Sequence, residues 1–138
     1  MRVPFYDIKA QYDELASEMD QVVHEVISSG GYVMGPHHKA FEAEMAEFHQ
    51  VKHAIAVNSG TDALRIMMDA AGIGHGDEVI TAATGFPTTV NPIVQNGWMP
   101  VFVDVNRTTL NAEPEALMAA AGPKTRAIVL AHTLGNPY

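Results

Sequence analysis

A polar turn, Ser59-Gly60-Thr61-Asp62, follows a short apolar run and opens a helical pattern. A helix N-terminus offers unpaired N–H groups and a positive dipole end, both of which suit a phosphate. Gly60 allows close backbone approach, and Ser59 and Thr61 add hydroxyl groups. The same residue types also cap helices that bind nothing. The turn therefore indicates either a phosphate site or a simple helix cap.

A second candidate is Phe86, which lies in a turn beside Pro87 after another apolar run. An aromatic ring held in such a turn can stack on a planar cofactor. The alternative is a ring packed against the neighbouring helix.

The third candidate is the segment from Ala131 to Pro137, at the end of a third apolar run. His132 is either a proton carrier or a hydrogen-bonded structural histidine. Asn136 is a polar neighbour in the same segment. Ligands of parallel α/β sheets bind at the carboxyl ends of the strands, which is where all three segments are expected.

Alternating helical and extended patterns predict the elements that position these segments. Helices are predicted from the stripe Tyr12–Val26 ending at Gly30-Gly31, the stripe Phe41–Phe48, the stripe Leu64–Ala71 closed by Gly72, the stretch Val90–Val94 stopped at Gly97, and Glu113–Ala121. Strands are predicted at His53–Val57, Glu78–Ala82, Val101–Val105 and Arg126–Ala131. Short apolar strands separated by helices predict an α/β fold whose parallel sheet is covered on both faces.

Composition excludes several classes of function. Sixteen acidic and eight basic residues give a net charge of −8, which argues against a nucleic-acid binder. The chain has no cysteine, so thiolate chemistry is excluded within it. The acidic cluster Glu42–Glu47 predicts a solvated helix face, and no metal site is expected. The chain has neither a membrane-spanning run nor a signal-peptide core at Met1–Asp7, so we expect a soluble cytoplasmic protein.

Several motifs, in order and at family spacing, resemble the sugar-nucleotide aminotransferases of the DegT/StrS type. They are Pro4–Tyr12, Ser29–Pro36, Ile55–Leu64, Gly76–Thr81 and Pro100–Asp104. The resemblance implies pyridoxal phosphate bound on the type I, aspartate-aminotransferase-like fold. It further implies a nucleotide-linked keto sugar as substrate, glutamate as the usual amino donor, and a homodimer with active sites at its interface.

The resemblance also implies roles for individual residues. Gly60 and Thr61 are expected to offer donors to the cofactor phosphate, and Asp62 its N–H. Phe86 falls where the family places the aromatic that stacks on the pyridine ring. The Schiff-base lysine of the family lies beyond Tyr138, so no catalytic residue is expected within this chain. None of the four lysines, Lys9, Lys39, Lys52 and Lys124, has that context.

Two segments, Gly85–Pro92 and Ala131–Pro137, resemble instead the 3-dehydrase branch, where a histidine replaces the lysine. The alternatives to an aminotransferase are thus a dehydrase of a 4-keto-6-deoxy sugar nucleotide and a non-catalytic protein that keeps the fold.

The resemblance makes residues 1–138 the N-terminal segment and the first part of the cofactor-binding large domain, with the remainder missing. It places the first predicted strand at one side of the sheet and the other three at the opposite side. The chain alone is therefore expected to be inactive and not to fold as a stable monomer.

Overall fold

The computed structural model describes residues 5–138, which divide after Ala56 into two compact units. Met1–Pro4 lie outside the described residues. The first residue of the Pro4–Tyr12 motif and the first four residues of Met1–Asp7, where no signal-peptide core was expected, are therefore not described. Across the described part, no helix is long and apolar enough to cross a membrane.

The first unit consists of two helices, α1 (Ile8–Ser29) and α2 (Pro36–Phe48). Asp7 caps α1, since its carboxylate accepts the Ala10 N–H at 3.1 Å. Gly30 ends the helix with φ +70°, a conformation that glycine adopts at little cost. The end predicted at Gly30-Gly31 is confirmed.

The predicted strand His53–Val57 is wrong, because none of these residues joins a sheet. A strand exists only where its backbone pairs with a neighbour, and the Ala56 N–H donates instead to the Glu42 carboxylate at 2.8 Å. Glu42 also contacts His38 Nε2 at 3.1 Å and is partly buried, so this member of the acidic cluster does not belong to a solvated face.

We expect the Glu42 contact to weaken in acid. The hydrogen bond from the Ala56 N–H is the main cause that holds the pKa of Glu42 below its ordinary value of 4.5. Desolvation opposes this effect, and the nearby His38 adds a further lowering. A lowered folded-state pKa stabilises the fold fully above pH 4.5, and that stabilisation is lost as pH falls through the folded-state pKa. Urea midpoints of the full-length protein and of its Glu42→Ala variant should therefore converge below that pH. Glu42→Gln, which keeps an acceptor, is the control; equal midpoints for the parent and Glu42→Ala at neutral pH would contradict the prediction.

The second unit carries the sheet. Its helices are α3 (Gly60–Ala70), α4 (Pro87–Gln95) and α5 (Pro114–Ala120), its strands are β1 (Glu78–Ala82), β2 (Met99–Val103) and β3 (Thr125–Val129), and a 3₁₀ turn spans Thr133–Gly135. The predicted bounds of β1 are confirmed, whereas β2 and β3 begin and end one or two residues earlier than predicted. β2 ends early because the Val105 N–H donates to the Asp104 carboxylate at 2.8 Å rather than to a strand.

The three strands are parallel, in the order β2-β1-β3. On one face, Val79 and Ile93 pack with Met68 and Trp98, so α3 and α4 cover that face. On the other face, Ile80 and Val103 pack near Leu117 of α5. The predicted parallel sheet, covered on both faces, is confirmed.

Candidate functional site

The start of α3 is a capped helix N-terminus with two unused donors. Ser59 Oγ accepts the Asp62 N–H at 3.2 Å and donates to the Asp62 carboxylate at 3.1 Å. The N–H groups of Gly60 and Thr61 have no carbonyl of their own helix to bond. The cap and the phosphate interpretation are thus compatible, although the Asp62 N–H expected to serve a phosphate is engaged by Ser59.

Space is available beside these donors. Apart from the adjoining residues and the backbone of α3 itself, no described atom lies within 4 Å of the point where a Cβ on Gly60 would stand. The negative charge of Asp62 is partly offset by Arg65, whose Nε lies 3.8 Å from Asp62 Oδ1. The helix start can therefore accept a compact anion.

Phe86 is the N-cap residue of α4 and follows the end of β1 by four residues. Its side chain is 72% exposed. A ring this exposed is not packed against a helix, so the packing alternative is wrong and the face of the ring is available for stacking.

His132 and Asn136 both make hydrogen bonds within the fold. His132 Nδ1 accepts the Tyr138 N–H at 3.2 Å, and Asn136 Nδ2 donates to the Thr109 carbonyl at 2.8 Å. The structural interpretation of His132 is thus supported, yet its side chain stays exposed. Asn136 holds a loop together.

The three segments share one edge of the sheet. Phe86 and His132 follow the carboxyl ends of β1 and β3, which are adjacent and parallel. Only a short connection joins the end of α3 to the start of β1, so α3 ends near the opposite edge. The 11 residues of α3 and the five residues of β1 each span about 16 Å, so α3 is as long as the strand it packs beside. Its first residue, Gly60, therefore lies at the carboxyl edge of the sheet.

Asn111 and Tyr138 were not predicted as residues of the site. Asn111 is 6% exposed and donates to the carbonyls of Asn136 and Pro137. No local pattern marks it, because its partners lie about 25 residues away in the chain.

Residues 13–138 match the DegT/DnrJ/EryC1/StrS aminotransferase family. The chain belongs to this family. The predicted resemblance is confirmed, and with it the type of fold. The family's members are pyridoxal-phosphate-dependent sugar aminotransferases, and 3-dehydratases also occur among the relatives.

Two curated relatives illustrate the range of the DegT/DnrJ/EryC1/StrS family. The chain is 50% identical to dTDP-4-dehydro-2,6-dideoxy-D-glucose 3-dehydratase of Saccharopolyspora spinosa, over 91% of the chain and 28% of that protein. It is 39% identical to dTDP-3-amino-3,4,6-trideoxy-alpha-D-glucose transaminase of Streptomyces venezuelae, over 99% of the chain and 36% of that protein. The chain thus spans about a third of the length of these relatives.

The solved structure of NtdA from Bacillus subtilis with the bound cofactor PMP is similar to this chain, with a TM-score of 0.85 at 31% identity. The match covers 92% of this chain and 29% of that one. The family cofactor is pyridoxal phosphate, and the residues present here fit it, since an open helix start for the phosphate and an exposed ring for the pyridine lie at one edge.

Proposed function

We propose that this chain forms the N-terminal part of a pyridoxal-phosphate-dependent aminotransferase that acts on a nucleotide-linked keto sugar, with glutamate as amino donor. The observation that carries the proposal is that the N–H groups at the start of α3 and the exposed ring of Phe86 lie at the same carboxyl edge of the sheet. Family membership and the transaminase relative support it.

Each residue at this edge has a proposed role. The N–H groups of Gly60 and Thr61 and the hydroxyl of Thr61 hold the phosphate, while Ser59 keeps the helix start in shape. Phe86 stacks on the pyridine ring. When bound, the cofactor supplies an electron sink for the carbon that loses its proton. None of the four lysines of this chain has the sequence context of the family's Schiff-base lysine, so we propose that the 138-residue chain is inactive by itself.

The proposed enzyme is a cytoplasmic homodimer whose sites form between subunits. The largely exposed apolar stripe of α1 supports an association of this kind. Light scattering on the full-length protein tests it, because a monomeric mass would refute the dimer.

Dehydration of a 4-keto-6-deoxy sugar nucleotide is the second candidate. The specific observation in its favour is the 50% identity to the 3-dehydratase relative. Segments 85–92 and 131–137, which resemble that branch, follow β1 and β3 at the proposed site.

One assay separates the candidates. The full-length protein is incubated with a dTDP-linked 4-keto-6-deoxy sugar, pyridoxal phosphate and glutamate, and the products are identified by mass spectrometry. An aminotransferase yields an amino sugar and 2-oxoglutarate in equal amounts. A dehydrase removes the C3 hydroxyl without placing nitrogen on the sugar. A protein that binds no pyridoxal phosphate and forms neither product refutes both.

In the full-length protein, Phe86→Ala should weaken cofactor binding while leaving stability nearly unchanged. A lost aromatic stacking contact costs about 0.5–1.5 kcal/mol, which corresponds to roughly a twofold to tenfold rise in Kd. Since the ring is 72% exposed, the thermal midpoint should move little. Phe48→Ala is the matched control, as Phe48 is 79% exposed and lies in the first unit. Fluorescence titration with pyridoxal phosphate measures both Kd values, and equal values would contradict the role of Phe86.

A further inference from the structure

The loop that carries His132 is fastened to a distant turn by one buried side chain. Asn111 lies in the turn that precedes α5, and its Nδ2 donates to the carbonyl oxygens of Asn136 at 3.2 Å and Pro137 at 3.0 Å. A side chain 6% exposed that bonds two successive carbonyls leaves the loop little freedom.

Two further hydrogen bonds join the turn that contains Asn111 to the loop that carries His132. Asn136 Nδ2 donates to the Thr109 carbonyl at 2.8 Å, and the Ala112 N–H donates to Tyr138 Oη at 3.3 Å. The donor of the first contact and the acceptor of the second both belong to the loop. The turn and the loop therefore hold one another.

The turn itself is rigid enough to serve as an anchor. Leu110 adopts φ +62°, a conformation uncommon for any residue but glycine. It is held there because the Asn106 N–H donates to the Asn111 carbonyl at 2.9 Å and the Leu110 N–H to the Asn106 carbonyl at 2.8 Å. Asn111 is thus presented to the loop from a fixed backbone.

The hydrogen bonds between the turn and the loop determine the orientation of the His132 ring. The Pro137 carbonyl, held by Asn111, belongs to the same peptide unit as the Tyr138 N–H that donates to His132 Nδ1 at 3.2 Å. An Nδ1 that accepts a hydrogen bond leaves the proton of the neutral ring on Nε2. The Tyr138 ring, 5.7 Å from the imidazole centroid, limits rotation further.

We propose that Asn111 is a positioning residue: through the Pro137–Tyr138 peptide it fixes the orientation of His132 and the tautomer with Nε2–H as donor. This orientation of His132 places an Nε2–H donor at the carboxyl edge of β3. On the proposed function, on which this step rests, the donor serves an oxygen acceptor of the bound cofactor or sugar. His132 is then the group that contacts the ligand, and Asn111 acts only through it.

The first test reads the tautomer without any assay of activity. The full-length protein is labelled with ¹⁵N-histidine, and the His132 ring signals are assigned by their loss in His132→Gln. The parent should show Nδ1 unprotonated and Nε2 protonated. Asn111→Asp, of the same shape but without the two donors, should shift both ring nitrogens toward a mixture of tautomers. Gln95→Glu, an amide-to-acid exchange at an exposed position in the last turn of α4, should leave them unchanged.

The second test is a double-mutant cycle on turnover. Asn111→Asp should lower kcat by about tenfold with a nearly unchanged KM. Combined with His132→Gln, it should cost little more than His132→Gln alone, since both changes remove one effect. Losses that multiply, or an unchanged His132 tautomer in Asn111→Asp, would overturn the proposal.

A variant that fails to fold does not end the test. Asn136→Ala removes only the contact to Thr109 and should shift the His132 ring signals in the same direction. If the full-length protein transfers no amino group, the proposed function fails, whereas the tautomer still decides the role of Asn111.

Discussion

The full-length protein with Gly60→Asp is expected to bind pyridoxal phosphate at least about tenfold more weakly than the parent. The new carboxylate would stand at the first residue of α3, in the space that now lies open above Gly60. It would fill the place proposed for the phosphate and repel it as a like charge. An acidic residue in the first turn also favours the helix dipole, so the fold should not suffer.

Gly60→Ala is the matched control for this experiment. The φ of Gly60 lies outside the left-handed region, and a Cβ meets no described atom within 4 Å beyond the adjoining residues and the backbone of α3, so alanine fits without strain. Its Kd should stay within about twofold of the parent. Titration of the cofactor-free protein gives the affinities, and melting curves confirm that all three proteins are folded. If the aspartate variant binds like the parent, the phosphate is not held at α3.

Regular elements with a clear pattern were predictable from the sequence. Glu78–Ala82 contains the β-branched run Val79-Ile80-Thr81 between charged and turn residues, and it forms β1 with the expected bounds. The helical spacing of apolar residues from Leu64 to Ala71 predicted a helix, and α3 forms there. Such signals lie within a few residues and need no knowledge of distant partners.

The segment 53–57 shows where local patterns fail. His-Ala-Ile-Ala-Val has the composition of a buried strand, but a strand needs a partner, and the Ala56 N–H finds the Glu42 carboxylate instead. Pairing of this kind joins residues 14 positions apart and leaves no trace in a short window.

Only the parts of the candidate site that depend on local patterns were predictable. The Ser59 cap and the exposed Phe86 lie beside element ends that the pattern reveals. Asn111 escaped notice because its role is created by the arrival of a loop from about 25 residues further along. The sequence therefore indicates which groups face a ligand better than which groups hold them in place.

The 138-residue chain produced by itself is expected to associate and to lack a cooperative unfolding transition as a monomer. The apolar stripe of α1 remains 40–60% exposed at Leu15, Met19 and Ile27, and no residue of α1 or α2 is buried. In the second unit, β3 pairs with β1 on one side and with no strand of the described residues on the other. Ile128 in this edge strand is 50% exposed.

These surfaces cannot stay in water without cost. Burying apolar area contributes about 25 cal/mol per Å², and an unpaired edge strand offers its backbone to any neighbouring chain. Ile128→Lys should raise the monomer fraction in light scattering, because a lysine at an edge strand opposes pairing. The fluorescence of Trp98, which is 3% exposed, reports on the core during a melt. A monodisperse monomer whose Trp98 signal and circular dichroism fall together in one sharp transition would show that the three-stranded sheet is sufficient by itself.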